Sequence, residues 1–427
     1  MALSRTSVAA ACLTTTVAMV LAGCGRSDGG GAATPAGTLA TGAVTGTITM
    51  WAEGTEGQDL ATAVKGFEKE NPGVTVNVTA IPWADALSKY QTAIAAGTTP
   101  DLAQMGTTWM ANFADAFQEV PSGIDTSGYF SGAKSPAVVN GTAVGVPWYV
   151  DTRVIYYRTD LAKKAGYSTP PTTWAGLEAM AKAMQTKAGA KWGITLPAGG
   201  TDSFQSMLPI AWSGGADLMN SAQTSWTLDS PQMVSALKYY QSYFTEGIAN
   251  PNASTTLGAQ ESAFVSGNTP MLIAAPAEIS AIDQAGGGSG YESKYSVMQI
   301  PADTGSASTS FVGGSDLAVF KNSAHSAAAW KLVQYLSEPS VQAAWYKTTG
   351  DLPAVQSAWS DAALTQDPKF AVFRAQLESV KAPPANTAWT QVSADADQQL
   401  ERIAQGTDPA SALATLQSQA AAVGTGN

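Results

Sequence analysis

Apolar and polar positions alternate in two rhythms along the chain after residue 46, one of period two and one of period near 3.6. Residues 47–51 read as a short strand, Gly54 and Gly57 open a loop, and Leu60, Val64 and Phe67 then share one helical face. Asn71-Pro72-Gly73 stops that helix. Val74, Val76 and Val78 alternate with polar residues as a second strand, and Leu87, Tyr90 and Ile94 mark an amphipathic helix ending at Gly97. Residues 102–105 make a third strand. Strands separated by helices of this length predict βαβ units and a largely parallel sheet. Such a sheet takes ligands in the crevice beyond the carboxyl ends of its strands. The loops after Trp51 and Met105 are therefore candidate binding loops, and they carry Glu53, Thr55, Thr107, Thr108 and Trp109.

Residues 144–157 form an apolar, aromatic run broken by Pro147, Asp151, Thr152 and Arg153. Charges in so apolar a strand need partners, which leaves two readings open: an Asp151–Arg153 pair buried within one lobe, or a crossover between lobes whose charges face a cleft. Asp160 begins the next helix, and Thr172-Thr173 caps another that starts at Trp174. A Trp- and Gly-containing stretch at 204–215, a helix at 234–243, a strand at 271–275 and a glycine loop at 286–290 follow. The last third holds a strand at 311–320 with Gly313-Gly314 inside it, then helices at 327–336, 339–347, 392–404 and 409–421. There is no internal repeat. Trp174, Trp330 and Trp345 stand at core positions of their helices.

The first residues change the picture. Arg5 precedes an apolar stretch at 7–20, and Leu21-Ala22-Gly23-Cys24 ends it, the layout of a signal peptide. The stretch is shorter than the ~20 residues a spanning helix needs. The tetrapeptide resembles a bacterial lipobox, which makes Cys24 the acylated first residue of the mature chain. Cys12, the second of two cysteines, falls in the part removed, so no internal disulfide is expected. Residues 25–46, rich in Gly, Ala, Thr, Ser and Pro, read as a flexible tether of the 24–45 segment that follows the 1–23 signal.

The chain has 22 basic and 33 acidic residues, and loss of Arg5 leaves 21 against 33, a net charge of −12. That balance argues against a nucleic acid or an anionic surface as partner. The ~380 residues after the tether exceed one typical domain, and two lobes are expected. The single histidine, His325, at a helix start, excludes histidine-dependent triads and histidine metal clusters. There is no GxxxxGK[ST] loop, HExxH or paired CxxC, and no cofactor is expected.

Six segments, in order, resemble family 1 of the extracellular solute-binding proteins, the maltose-binding-protein-like group. They are Phe67-Glu68-Lys69-Glu70-Asn71-Pro72-Gly73-Val74; Ala96-Gly97-Thr98-Thr99-Pro100-Asp101-Leu102; Gly145-Val146-Pro147 through Tyr156-Tyr157; Thr172-Thr173-Trp174; Gly313-Gly314; and Thr349-Gly350 through Leu352-Pro353. The resemblance implies an α/β, periplasmic-binding-protein-like fold of two discontinuous lobes, 46–150 with 311–355 and 156–308 with 360–421. Hinge crossings are then expected near 150–156 and 308–312, with a sugar between the lobes and ABC permease subunits as partners. Carried over by position, Glu53, Thr55, Thr107, Thr108 and Trp109 face the ligand from lobe 1. Asp151 is the carboxylate at the hinge, Phe204 and Trp212 belong to the second lobe's aromatic region, Gly314 and Ser315 flank the second crossing, and Trp389 lies in the closing segment. One departure stands out: where many relatives have an aromatic after the proline that follows the 271–275 strand, Pro276 is followed here by Ala277 and Glu278. Stacking must then come from elsewhere, or Glu278 adds a polar contact.

Two other readings stay open on sequence. An exported glycosidase uses two acids flanking the bond, but no motif marks Glu53 or Asp151 as such. A binder of a sugar acid, polyol or peptide is the second, and an anionic ligand wants more basic residues than Arg153. A monomer is expected, since a hinged cleft closes without a partner copy.

Overall fold

The computed structural model describes residues 37–426 apart from 255, 257 and 304–306. Cys24 and the signal stretch lie outside the described residues.

The alternating valines and the helical faces build what their spacing predicts. Strand β1 (Thr45–Glu53) is followed by the helix Gly54–Glu70, β2 (Gly73–Ile81) by the helix Trp83–Ala96, and then β3 (Leu102–Gly106). β1 pairs in parallel with both β2 and β3. The expected loop at Gly54 and Gly57 is absent, because the helix starts directly on the strand end. Gly57 makes this possible: a Cβ there would lie 2.5 Å from the Ala52 carbonyl oxygen. Gly97, with φ of 67°, ends the second helix in the left-handed conformation.

A hairpin of β4 (Val138–Val139) and β5 (Thr142–Ala143) leads into β6 (Val146–Thr152). Beyond Arg153 the chain continues as β7 (Val154–Arg158), which belongs to another sheet. There it lies between β8 (Met271–Ala274) and β9 (Tyr295–Met298), antiparallel to each. β10 (Ser310–Val319) brings the chain back, β11 (Leu352–Pro353) edges β6, and β12 (Val380–Lys381) pairs with the start of β10. The large sheet has the order β11-β6-β10-β3-β1-β2. Along this order only the β2-β1-β3 part is parallel, and the two-residue β12 also runs parallel to β10. β10 enters from the other lobe, in the opposite sense, and so runs antiparallel to β3 and β6.

Leu60, Val64, Phe67, Trp330 and Leu332 pack on one face of this sheet, and Tyr90, Phe113, Phe117 and Phe320 on the other. The second lobe is mostly helical, its core formed by Trp174, Met180, Met184, Met207, Leu208, Tyr240, Leu400 and Leu413. Thr173 caps the helix Trp174–Ala188, its Oγ1 accepting from the Gly176 N–H at 3.2 Å. Trp174, Trp330 and Trp345 are buried. The helix Pro368–Leu377 touches β6, β7, β9 and β10, so it straddles the crossing instead of belonging to one lobe.

The stretch read as tether is docked from residue 37 onward. The Gly37 N–H donates to the Glu119 carbonyl at 2.7 Å, Leu39 packs on the lobe 1 core, and Val44 is buried. Leu39 and Val44 are the two apolar side chains that let this segment hold to a surface.

Candidate functional site

The carboxyl ends of β1, β2 and β3 lie on the same edge of the large sheet as the β6 crossing. Thr55 is exposed there, and Thr107, Thr108 and Trp109 are half-buried in a short 3-10 turn at the end of β3. These four expected residues come together.

Glu53 does not join them. Its side chain is fully buried in lobe 1, and neither carboxylate oxygen has a hydrogen-bond partner. Tyr90, which lies beside it, donates its hydroxyl to the Gln104 carbonyl at 2.9 Å. Burial pushes the Glu53 carboxyl up to about 8. The reason is local: with no loop after β1, position 53 is the last strand residue and points inward. The acid that this turn offers to the edge is Glu56, half-buried, whose Oε1 accepts from the Tyr149 hydroxyl at 3.0 Å.

A polar chain fixes Tyr149. The Gln104 amide accepts from the Glu53 N–H at 3.1 Å and donates to Ser315 Oγ at 3.1 Å, and Ser315 donates to the Tyr149 hydroxyl at 3.0 Å. Ser315 is therefore a buried support for the site and not an exposed contact. Gly314, φ +118°, lies against the Tyr149 carbonyl, where a side chain has no room. Asp351 completes the group: Trp345 Nε1 donates to it at 3.0 Å, and burial, then the neighbouring Glu56 charge, push its carboxyl up to about 7.

At the crossing, Asp151 Oδ1 receives Arg153 Nη1 at 2.8 Å, with 30% of the Asp151 side chain and 24% of the Arg153 side chain exposed. This settles the two readings left by the sequence: the pair exists, and it sits at the crossover with both members reaching solvent. The guanidinium lies 5.3 Å from the Phe311 ring centroid, and Trp212 stacks on Phe311 at 6.3 Å and 10°.

Three second-lobe aromatics expose little surface, although Trp212 borders a cavity that residues of lobe 1, among them Ser131 and Asn140, also line. Phe204, Trp212 and Trp389 are 1%, 3% and 2% exposed. Phe204 and Trp212 lie on the helix Ser203–Ser213, whose surface is apolar nearly all round and buried to match. Trp389 packs on Trp226 inside the helical core. The second lobe also offers a surface of mixed character, in which polar side chains stand among Leu196, Pro197, Pro251 and Ala404. Thr195 bridges in parallel to Leu272 of β8, so the chain after it runs toward the crossing, as β8 does. It opens a cavity of about 750 Å³ lined by Gly199, Thr201, Ser203, Ser206, Gln260, Glu261, Glu401 and Gln405. Glu278, half-buried in the first turn of its helix, stands near this wall, and burial followed by the Glu261 charge pushes it up to about 7. Asp397 caps the helix Ser203–Ser213, accepting from the Asp202 and Phe204 N–H groups at 2.9 and 2.8 Å.

Two further residues of the edge escape the sequence reading, Glu56 and Trp83. Trp83 follows β2, as Thr55 follows β1 and Trp109 follows β3, and that shared position is the signal that marks it. Its ring is 38% exposed and 5.6 Å from that of Trp109. Among the described residues no group of three or more His, Cys, Asp or Glu is placed to hold a metal ion.

The profile of bacterial extracellular solute-binding proteins matches residues 62–372. The sugar-binding protein MalE of Xanthomonas citri superposes with a TM-score of 0.82, at 31% identity, over 88% of this chain and 97% of its own. The cyclic α-maltosyl-1,6-maltose binding protein of Arthrobacter globiformis gives 0.78 at 20% identity, over 89% of this chain and 99% of its own, a likeness of fold. An ABC transporter-binding protein of Deinococcus radiodurans is 29% identical over 298 residues, 66% of this chain and 70% of its own.

Proposed function

Because the chain belongs to the bacterial extracellular solute-binding proteins, we propose that it captures a sugar or short oligosaccharide between its lobes and presents it to an ABC permease. The observation that carries this reading is the make-up of two surfaces, the strand edge of lobe 1 and the cavity of lobe 2. Lobe 1 offers indole and hydroxyl groups at one strand edge, and lobe 2 offers hydroxyls, amides and carboxylates. Sugar rings have apolar C–H faces and hydroxyl rims, and these surfaces match both. Arg153, the cation at the crossing, is taken by Asp151, which speaks against a sugar acid or phosphate. The ligand leaves chemically unchanged: the protein binds and does not cleave. Closure is a hinge motion about the crossings near 150–156 and 308–312. In this reading Cys24 carries the lipid that holds a monomer to the outer face of the cytoplasmic membrane.

Thermal unfolding against a panel of mono- and oligosaccharides tests it. A ligand at 100 times its Kd adds about 2.7 kcal/mol, so the matching sugar raises the melting temperature and is recovered intact. No shift with any sugar, or breakdown products, would reject the reading. Asp151→Ala should weaken that sugar's binding at least about tenfold, since a charge-assisted hydrogen bond is lost and Arg153 is left unpaired. Calorimetric titration of the variant checks this, and an unchanged Kd removes Asp151 from the site.

A further inference from the structure

Resting on the sugar-binding reading above, we propose that Trp83, with Trp109 leaning on it, is the principal stacking surface of the cleft and seats a single sugar ring.

Among the described residues, only Trp83, Val138 and Val423 are exposed large hydrophobics. An indole kept in water forgoes about 25 cal/mol for each Å² left uncovered, so its place on the binding edge is informative. The backbone around it is shaped to hold it. At Gly54 a Cβ would come within 2.6 Å of the Trp83 ring nitrogen, and at Gly106 within 3.5 Å of the ring's far carbon. Gly54 follows β1 and Gly106 ends β3, each against the ring, so the indole lies against bare backbone at the carboxyl edge. Glu56 reaches the same spot, its Oε2 lying 2.8 Å from where a Gly54 Cβ would be. A carboxylate is thus set beside the ring, where a sugar hydroxyl would meet it.

The angle between the two indoles sets the size of the ligand. Trp83 and Trp109 meet at 57° with centroids 5.6 Å apart, which makes a corner and not a continuous shelf. A corner holds one ring, with its C–H face on Trp83 and its edge toward Trp109. A run of rings needs successive platforms, and the opposite wall supplies none. Ala277, which follows Pro276, is not aromatic, Phe204 and Trp389 are buried, Trp212 is 3% exposed and borders a different cavity, and the lining of the second-lobe cavity contains no aromatic residue. Stacking is therefore one-sided. The ring turns its hydroxyl rim to Ser203, Ser206, Gln260 and Gln405; a second ring can add hydrogen bonds there, but no ring after the first gains a stacking contact.

The test is calorimetric titration of the wild-type protein, Trp83→Ala and Trp83→Phe with glucose, galactose, maltose, lactose, cellobiose, trehalose, maltotriose and maltotetraose. The sugar bound best by the wild type should bind about tenfold more weakly, about 1.4 kcal/mol, to Trp83→Ala. Trp83→Phe should recover part of that loss. The unliganded variants should stay folded, with melting temperatures lowered by no more than a few degrees, because the partly exposed ring packs only at the edge of lobe 1. Wild-type affinity should level off at two rings. Unchanged affinity in Trp83→Ala, or a tenfold gain with every added ring up to four, overturns the proposal. A wild type that binds none of these sugars instead rejects the sugar reading, and this proposal with it.

Discussion

Glu53→Gln should leave the protein about as stable as the wild type at pH 4 and make it more stable at pH 8, by on the order of 3 kcal/mol. The buried Glu53 carboxyl holds its proton up to about pH 8, whereas in the unfolded chain it releases it near 4.5. Below pH 4.5 both states are protonated and the full stability is present. As pH rises from there to about 8, only the unfolded chain gains by ionising, so stability falls across that window. At 1.36 kcal/mol for each pH unit the fall approaches about 5 kcal/mol, and relaxation of the site lowers it. Glutamine keeps the shape and cannot ionise. Urea unfolding of both proteins at pH 4, 6 and 8 measures the difference directly. Parallel pH profiles would show that Glu53 is ionised in the folded protein.

Gly314→Ala should cost about 2–6 kcal/mol. Its φ of +118° is open to glycine and strained for any L side chain, worth about 1–3 kcal/mol. The added Cβ would also meet the Tyr149 carbonyl oxygen at 2.2 Å and Val150 Cα at 2.9 Å. Both are backbone atoms in the β10–β6 ladder and cannot swing aside, so a further cost of about 1–3 kcal/mol applies. Gly287→Ala is the matched control. Its φ is +94° but a Cβ there meets nothing within 4 Å, so only the backbone strain remains. Unfolding free energies of the two variants, from denaturant titration, should differ by more than about 1 kcal/mol. Equal losses would mean that β10 and β6 separate easily at this point.

The lobe 1 strands were readable because Val74, Val76 and Val78 face one apolar layer, which leaves period two plain in the sequence. Thr107, Thr108 and Trp109 were readable for a related reason: they follow a strand of a βαβ unit. Trp83 was not, because after Pro82 it blends into the amphipathic pattern of Leu87, Tyr90 and Ile94, and exposure leaves no mark in the sequence. Glu53 was misplaced by one structural step, a helix that begins without a loop. The direction of β10 depends on where the chain returns from, which period two cannot express. Phe204, Trp212 and Trp389 show the limit of carrying positions over by resemblance: a position can be kept while its side chain turns into the core.

The one-sided placement of the two indoles also dictates an order of events. A sugar can land on the exposed corner while the lobes are apart, since nothing from the second lobe takes part in that contact. In the site proposed above, the lobe 2 wall then arrives over a ring already held. Association should accordingly show two relaxations, a bimolecular one whose rate climbs with sugar concentration and a slower unimolecular one that reaches a plateau.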